Sequence, residues 1–177
     1  MKKVMLLTIL AALMMISSAA VAQTTASGTL TVTATVNGSI NLVFNSDAAG
    51  LALSAGAGTN AATLAFGNVS AFGAISAGIV RTTTATTFTV SSAVDVLVTK
   101  TNSASANYTL KAQLGSADAV NTWTVGGVAV TNAAQSTLTA TGTYAANSNF
   151  PVAITVPFTT ASGTLISNTI NYVATAN

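Results

Sequence analysis

Ten residues near the amino terminus, Thr29 to Gly38, read TLTVTATVNG and alternate apolar and polar side chains almost without a break. From 29 to 36 one parity is apolar and the other is threonine at every position. The apolar members are Leu30, Val32, Ala34 and Val36. Because successive side chains of a strand point to opposite faces, this alternation predicts a β-strand with one apolar face. A strand needs a partner, so these residues pair either within the chain's own sheet or with another molecule.

The segment before this strand has the features of a signal peptide. Lys2 and Lys3 precede the apolar run 4–16, and small residues at 20–22 match the pattern that signal peptidase cleaves. The alternative is an uncleaved anchor, but the run is short for a membrane span and no second apolar stretch follows it. We therefore expect residues 1–22 to be removed and the mature protein to be secreted, reaching the cell surface or the extracellular space through the periplasm.

Cleavage at this site changes the charge of the protein. Five basic residues less Lys2 and Lys3 leave three, which balance three acidic residues, so the mature net charge is 3 − 3 = 0. No basic patch remains for nucleic acid or anionic lipid. A surface with so few charges has little repulsion to keep molecules apart, which favours an assembled state. The alternative is that an uncharged, threonine-rich composition reflects only an extracellular environment.

Strand patterns dominate the rest of the chain. Short alternating runs bounded by Gly, Asn or Ser predict an all-β fold, an antiparallel immunoglobulin-like β-sandwich. Its strands are expected at 30–36, 40–44, 64–66, 88–90, 94–98, 108–114, 123–125, 128–130, 138–140, 152–158 and 166–176. Residues 47–62 are expected to form a loop, with a short helix as the alternative. The domain boundaries are then 1–22 for the signal peptide, 23–37 for an N-terminal extension and 38–177 for the sandwich.

One hairpin can be predicted residue by residue. Gly126-Gly127 suits a two-residue turn that needs positive φ, and this turn would pair Val125 with Val128 and Trp123 with Val130. Trp123 then packs in the core or covers its hairpin partner. As the only tryptophan, it is alternatively a platform for a sugar or another ligand.

Asn37-Gly38 is a common hairpin sequence, but the parity of its neighbours argues against a hairpin here. A two-residue turn would pair Val36 with Ser39 and Val32 with Val43, which places the apolar residues before and after the turn on opposite faces. The alternating apolar residues before the turn, within 30–36, and those after it, Ile40, Leu42 and Phe44, all have even numbers, as one strand or two successive strands would require. We therefore expect a hinge at Asn37-Gly38.

The composition offers little for catalysis. The chain has no His and no Cys, and its three acidic residues are Asp47, Asp95 and Asp118, so Glu is also absent. The common general base, the thiol nucleophile, most transition-metal ligands and a nearby carboxylate pair are therefore missing. Asp47 is expected to stabilise a turn, with a weak Ca²⁺ site at 45–47 as the alternative. We expect no enzyme activity and no cofactor.

Three short elements resemble secreted subunits of the archaic chaperone–usher pilin class and spore-coat-U-like domains. They are TLTVTATV at 29–36, SINLVF at 39–44 and LAFG at 64–67. The resemblance implies a sandwich that lacks one strand, a periplasmic chaperone that fills the gap, an outer-membrane usher, and an N-terminal strand that completes the next subunit. This chain departs from the pattern in having no Cys after its N-terminal strand and in ending ATAN, without a penultimate Tyr.

These observations lead to three functional hypotheses. The first is a structural subunit of a fimbria or coat that donates residues 29–36 to another copy or a related subunit, with Leu30, Val32, Ala34 and Val36 as its interface. The second is a self-contained adhesin or carbohydrate-binding module that uses Trp123. The third is a coat or matrix protein held by lateral packing without strand exchange.

Overall fold

Eleven short strands, all paired antiparallel, account for the regular structure of residues 27–177, the part of the chain that the computed structural model describes. No helix occurs in that range, so residues 47–62 form a loop without the alternative helix. The strands are β1 Ser39–Ser46, β2 Val80–Thr83, β3 Thr87–Ser92, β4 Val94–Thr101, β5 Tyr108–Leu114, β6 Thr122–Val125, β7 Val128–Val130, β8 Ser136–Gly142, β9 Asn147–Asn149, β10 Val152–Pro157 and β11 Ile170–Ala176. The predicted all-β sandwich is confirmed.

Three sheets have the strand orders β1-β4-β9, β2-β3-β10-β6-β7 and β11-β5-β8. The first two are continuous, because β3 leads into β4 across Ala93 while their partners β10 and β9 are separated only by Phe150 and Pro151. The Phe150 N–H donates to the Val94 carbonyl across this junction. One layer of the sandwich is therefore a long bent sheet, and the β11-β5-β8 sheet forms the other.

The core lies between these layers, and alternate residues of the central strands fill it. In β4 and β5 the even-numbered side chains face inward, and Val96, Val98, Tyr108 and Leu110 are all 0% exposed. Their odd-numbered neighbours are more exposed. This period-two burial is what the sequence alternation predicts for strands with one face on the core.

The predicted Gly-Gly hairpin is confirmed. Val125 pairs with Val128 and Trp123 with Val130, and the turn glycines have φ of 57° and 79°. Positive φ at both positions is the geometry of a type I′ turn, whose twist matches that of the flanking strands.

Two sequence expectations for strands were wrong, and a third segment has no partner strand in the described chain. Residues 27–38 form no strand, and 29–36 have no partner strand in the described chain. Residues 64–66 pack Leu64 and Phe66 against the core but make no ladder, and β11 begins at Ile170 rather than 166. Strands β2 and β9 were missed. An isolated strand is not stable in water, which explains why the strongest pattern in the sequence forms no strand here.

The predicted signal peptide lies outside the described residues, as do residues 23–26 of the extension. Residues 36–177 make up one compact unit. In the part of the chain that can be described, no helix has the length and apolar character needed to cross a membrane.

Candidate functional site

The four predicted donor residues are exposed to solvent. Leu30, Val32 and Val36 are 88%, 80% and 73% exposed, and Ala34 is exposed as well. Large apolar side chains in such a row are unusual at the surface of a protein that has no partner for them. These apolar side chains, at every second position of the sequence, are therefore available for contact with a partner.

One edge of β1 is open along its first half. At Phe44 the N–H donates to the Thr59 carbonyl at 2.9 Å and the carbonyl accepts from Gly58 N–H at 2.7 Å, on the side away from β4. Because strand geometry repeats every two residues, the N–H and C=O groups of Ile40 and Leu42 point to the same side. No described strand pairs with them there, since β1 is the edge of its sheet.

One edge of β11 is open along its whole length. Hydrogen bonds from Asn177 N–H to the Asn107 carbonyl (3.0 Å) and from Gly115 N–H to the Thr169 carbonyl (2.7 Å) show that odd-numbered residues of this segment bond to β5. The even-numbered backbone groups, from Ile170 to Ala176, therefore point to the opposite side. That side also has no partner strand in the described chain.

The two open edges face each other across a groove, which we call the edge groove and define by residues 38–44 and 170–176. At one end the rings of Phe44 and Tyr172 are in contact, with centroids 5.0 Å apart and planes at 69°. At the other end is a cleft of about 370 Å³. Its lining residues are Gly38, Ser39, Ile40, Ser103, Ala174, Thr175 and Ala176. Strands β1 and β11 thus run antiparallel on either side of the groove.

Apolar side chains that line the edge groove are only partly covered. Ile40, Leu42, Tyr172 and Ala174 pack against the cluster of Val96, Val98, Tyr108 and Leu110, but they keep exposed surface, whereas the cluster members are 0% exposed. The two central strands have neighbours on both edges, and the two groove strands do not. The core side chains on the two groove strands are therefore less covered than those on the two central strands.

The edge groove suits an uncharged partner. No charged side chain is among the residues that line its cleft. Burial raises the pKa of the Tyr172 phenol, so this group stays neutral at any physiological pH. A segment entering the groove meets apolar side chains and unpaired backbone groups, which are the two features that a strand can satisfy together.

Trp123 lies elsewhere, on β6, and is 6% exposed. Its indole N–H donates to Asp118 Oδ2 at 2.8 Å, and its ring packs in the larger core cluster. It borders a cleft of about 320 Å³ together with Asp118 and Asn121. The indole ring therefore packs in the protein interior, which agrees with the core-packing prediction for Trp123 rather than with a ligand platform.

The Asp118 carboxylate has a structural role that the sequence did not predict. Desolvation by the surrounding protein acts to raise its pKa, but hydrogen bonds outweigh this and lower the pKa from 3.8 to about 2. The donors are the Asn121 backbone, the Trp123 indole, the Asn121 side chain and the Val120 backbone. Asp118 thus fixes the loop that leads into β6. The spacing Asp-x-x-Asn-x-Trp was the available clue.

Asp47 stabilises a turn, as expected, because its Oδ1 accepts from the Ala49 N–H at 2.7 Å. Its other oxygen accepts from the Asn149 side chain at 2.8 Å. Among residues 27–177, no three His, Cys, Asp or Glu side chains lie close enough together to hold a metal ion.

The structure brings β1 and β11 next to each other at the edge groove, and the sequence did not predict this proximity. The predicted donor residues and the groove that could receive them lie on different parts of the chain, and only the donor carries an obvious sequence pattern. The even parity shared by the inward side chains of β1 and β11 was the available clue to the groove. No family model, no curated protein and no solved structure matches this chain.

Proposed function

We propose that this protein is a non-enzymatic, exported structural subunit that assembles with other copies of itself into a fimbria or coat by β-strand addition. Residues 29–36 of one copy enter the edge groove of the next and complete an immunoglobulin-like sandwich that lacks one strand. The observation that carries the proposal is that two open strand edges, those of β1 and β11, lie on either side of half-buried core side chains.

Donor and groove match in length and in pattern. The open edge of β11 spans seven residues, and the alternating segment 29–36 spans eight. Inward side chains on both groove strands recur every second residue, as do Leu30, Val32, Ala34 and Val36. Seated with these residues inward, the donor would leave its threonines at the surface.

Burial of the donor's apolar side chains would be the main favourable contribution to this contact. Burying Leu30, Val32 and Val36 contributes roughly 1.5–3 kcal/mol each, which is partly offset by the entropy of ordering the segment. The donor also supplies hydrogen bonds to the open backbone groups of β11. Unpaired groups of this kind are costly when a partner covers them without bonding, so the ladder gives specificity for an extended chain.

The geometry favours a second copy as the occupant over the chain's own extension. A two-residue turn at Asn37-Gly38 would direct the threonines, not the apolar residues, into the groove. A three-residue loop would restore the parity but would bring Leu30 beside Phe44, whose N–H and C=O are already bonded to residues 58 and 59. It would also favour a left-handed Gly38, and Gly38 is not among the glycines with positive φ.

The resemblance to archaic chaperone–usher subunits adds two partners to the proposal. A periplasmic chaperone would cover the groove before assembly, and an outer-membrane usher would direct export. Trp123 offers little surface for the ligand-binding alternative, because it is 6% exposed and its indole N–H is already bonded to Asp118.

The proposal is tested with a pair of variants of the mature protein. Val32→Asp places a charge on the apolar parity, and Thr33→Asp places the same charge on the threonine parity. We expect wild type and Thr33→Asp to form oligomers in gel filtration and filaments or sheets in negative-stain microscopy. Val32→Asp should remain monomeric, since it replaces a buried contact worth roughly 1.5–3 kcal/mol with a buried charge.

Deleting residues 23–36 provides the second arm of the test. The shortened protein should be monomeric and less stable to heat than the assembled wild type, because its groove stays empty. A wild-type protein that is strictly monomeric, with a melting temperature unchanged by the deletion, would show that the segment has no pairing role. A monomer that loses stability on deletion would instead indicate self-complementation and would also contradict the proposal.

A further inference from the structure

Asn37-Gly38, the only Asn-Gly pair in the sequence, lies in an exposed segment of the structure. Neither residue belongs to a strand, and β1 begins at the next position. The Gly38 N–H makes no backbone hydrogen bond within the described part of the chain. No backbone hydrogen bond therefore has to break before the Gly38 nitrogen can approach the Asn37 side chain.

The structure also explains why residue 38 is a glycine. A Cβ placed on Gly38 would lie 2.7 Å from the Asn102 carbonyl oxygen and 3.3 Å from Ser103 Cα. These are backbone atoms of the loop that follows β4, and they cannot move aside as a flexible side chain would. A side chain at position 38 is thus excluded by packing, and the chain cannot protect Asn37 by placing a bulky residue after it.

We propose that Asn37 is a site of spontaneous deamidation, because the packing around position 38 admits only the glycine that leaves its neighbour most open to this reaction. The deprotonated backbone nitrogen of Gly38 attacks Cγ of Asn37, forming a new N–C bond, and the side-chain nitrogen leaves as ammonia. Water then opens the resulting succinimide ring at either carbonyl. The products are aspartate, with the original backbone, or isoaspartate, in which the main chain passes through the former side chain. No oxidant or reductant takes part.

Either product changes the chain where the alternating segment joins β1. Both add one negative charge to a mature chain whose predicted net charge is zero, and isoaspartate also lengthens the backbone by one carbon. If residues 29–36 are the donor strand, as proposed above, the modification falls on the connection between subunits. The chemistry itself does not depend on that function.

The test uses mass spectrometry on the purified mature protein incubated in mildly alkaline buffer. A protease other than trypsin is needed, because no Lys or Arg lies between Lys3 and Arg81. We expect the peptide that contains Asn37 to gain about 1 Da and to split into aspartate and isoaspartate forms. The rate should rise with pH, because the attacking nitrogen must lose its proton.

Three Asn-Ser pairs, at 45–46, 102–103 and 147–148, serve as controls in the same digest. The serine Cβ hinders the attack that glycine permits, so Asn37 should convert at least about tenfold faster than any of them. Asn37→Gln should abolish the rapid conversion, since ring closure from the longer side chain is slower. Conversion at Asn37 no faster than at the Asn-Ser pairs, or equally fast with Gln at this position, would overturn the inference.

Discussion

At the scale of single residues, packing leaves no room for a side chain where Gly142 at the end of β8 meets the ring of Tyr108. A Cβ placed on Gly142 would lie 2.3 Å from Tyr108 Cζ, and the ring itself is 0% exposed. Tyr108 also contacts Tyr144, with ring centroids 5.3 Å apart. The fully buried Tyr108 ring therefore occupies space that is free only because residue 142 has no side chain.

Gly142→Ala is expected to destabilise the protein by about 1–3 kcal/mol, because the extra methyl forces the buried ring out of its position. Chemical denaturation of the two proteins would measure the difference. Gly28→Ala is the matched control, since no atom lies within 4 Å of a Cβ at that position. Equal destabilisation by both substitutions would show that the ring can move aside without cost.

A second prediction at this scale concerns Asp118 and acid. Its pKa is about 2 in the folded protein and higher in the unfolded chain, so the unfolded state binds the proton more readily. The stability that Asp118 contributes is therefore present above pH 4 and is lost as the pH falls from about 4 to about 2. We expect the free energy of unfolding of Asp118→Asn to depend less on pH in this range than that of the wild type.

Urea denaturation between pH 2 and pH 6 would measure this difference, in a Val32→Asp background that removes any contribution from assembly. Trp123→Phe is the informative companion, because it keeps an aromatic ring but removes the donor to Asp118 Oδ2. Its pH dependence should lie between those of the wild type and Asp118→Asn. An equal dependence of the unfolding free energy on pH in all three proteins would contradict the lowered pKa of Asp118.

At the scale of strands, alternation located the elements that have one face on the core. Strand β5 matches its predicted range, Tyr108–Leu114, and β4 and β10 match at their first residues. Strand β9, Asn147–Asn149, has no apolar alternation and exists because β4 offers an edge to pair with. Leu64 and Phe66 bury apolar surface without a ladder, which composition cannot distinguish from a strand.

Alternation also made the candidate donor segment, 29–36, visible in the sequence, whereas the edge groove was not visible there. The edge groove depends on which strands flank β1 and β11, and these pairings join residues far apart in the chain. A local pattern shows that a strand has an apolar face, but it does not show that one of its edges is left open. That property appears only after the whole sheet order is known.

Blocking the edge groove is predicted to prevent assembly while leaving the fold intact. Ala176 is exposed and lines the cleft, so Ala176→Phe would fill the space that the donor needs. Val173→Phe is the control on the same strand, because Val173 has odd parity, is 40% exposed and does not line the cleft. Gel filtration should show monomers for the first variant and oligomers for the second. Oligomers for both would exclude this groove as the acceptor.

At the scale of the whole molecule, donor and acceptor are separate features of one chain, so each can be disabled without the other. Val32→Asp lacks a functional donor but keeps the edge groove, and Ala176→Phe lacks the groove but keeps the donor. A head-to-tail arrangement of this kind extends without closing unless the rotation between copies forms a ring. Assembly by lateral packing has no such division.

Mixing the two variants should therefore give a dimer and nothing larger. Each variant alone is expected to be monomeric, and the mixture should contain one interface, with the intact donor of Ala176→Phe in the intact groove of Val32→Asp. Light scattering coupled to gel filtration would give the mass of the complex. A mixture that stays monomeric, or one that forms long polymers, would contradict donation in one direction.

The anchoring of Asn177 has a practical consequence for how the protein can be handled. Its side chain accepts from Thr109 Oγ1 at 2.9 Å and donates to the Ala140 carbonyl at 2.8 Å, while its N–H donates to the Asn107 carbonyl at 3.0 Å. A purification tag joined after this residue would start from a fixed point beside Ala176, at the mouth of the cleft. Such a tag would compete with the donor, so a tag inserted in an exposed loop away from the groove would better preserve polymerisation.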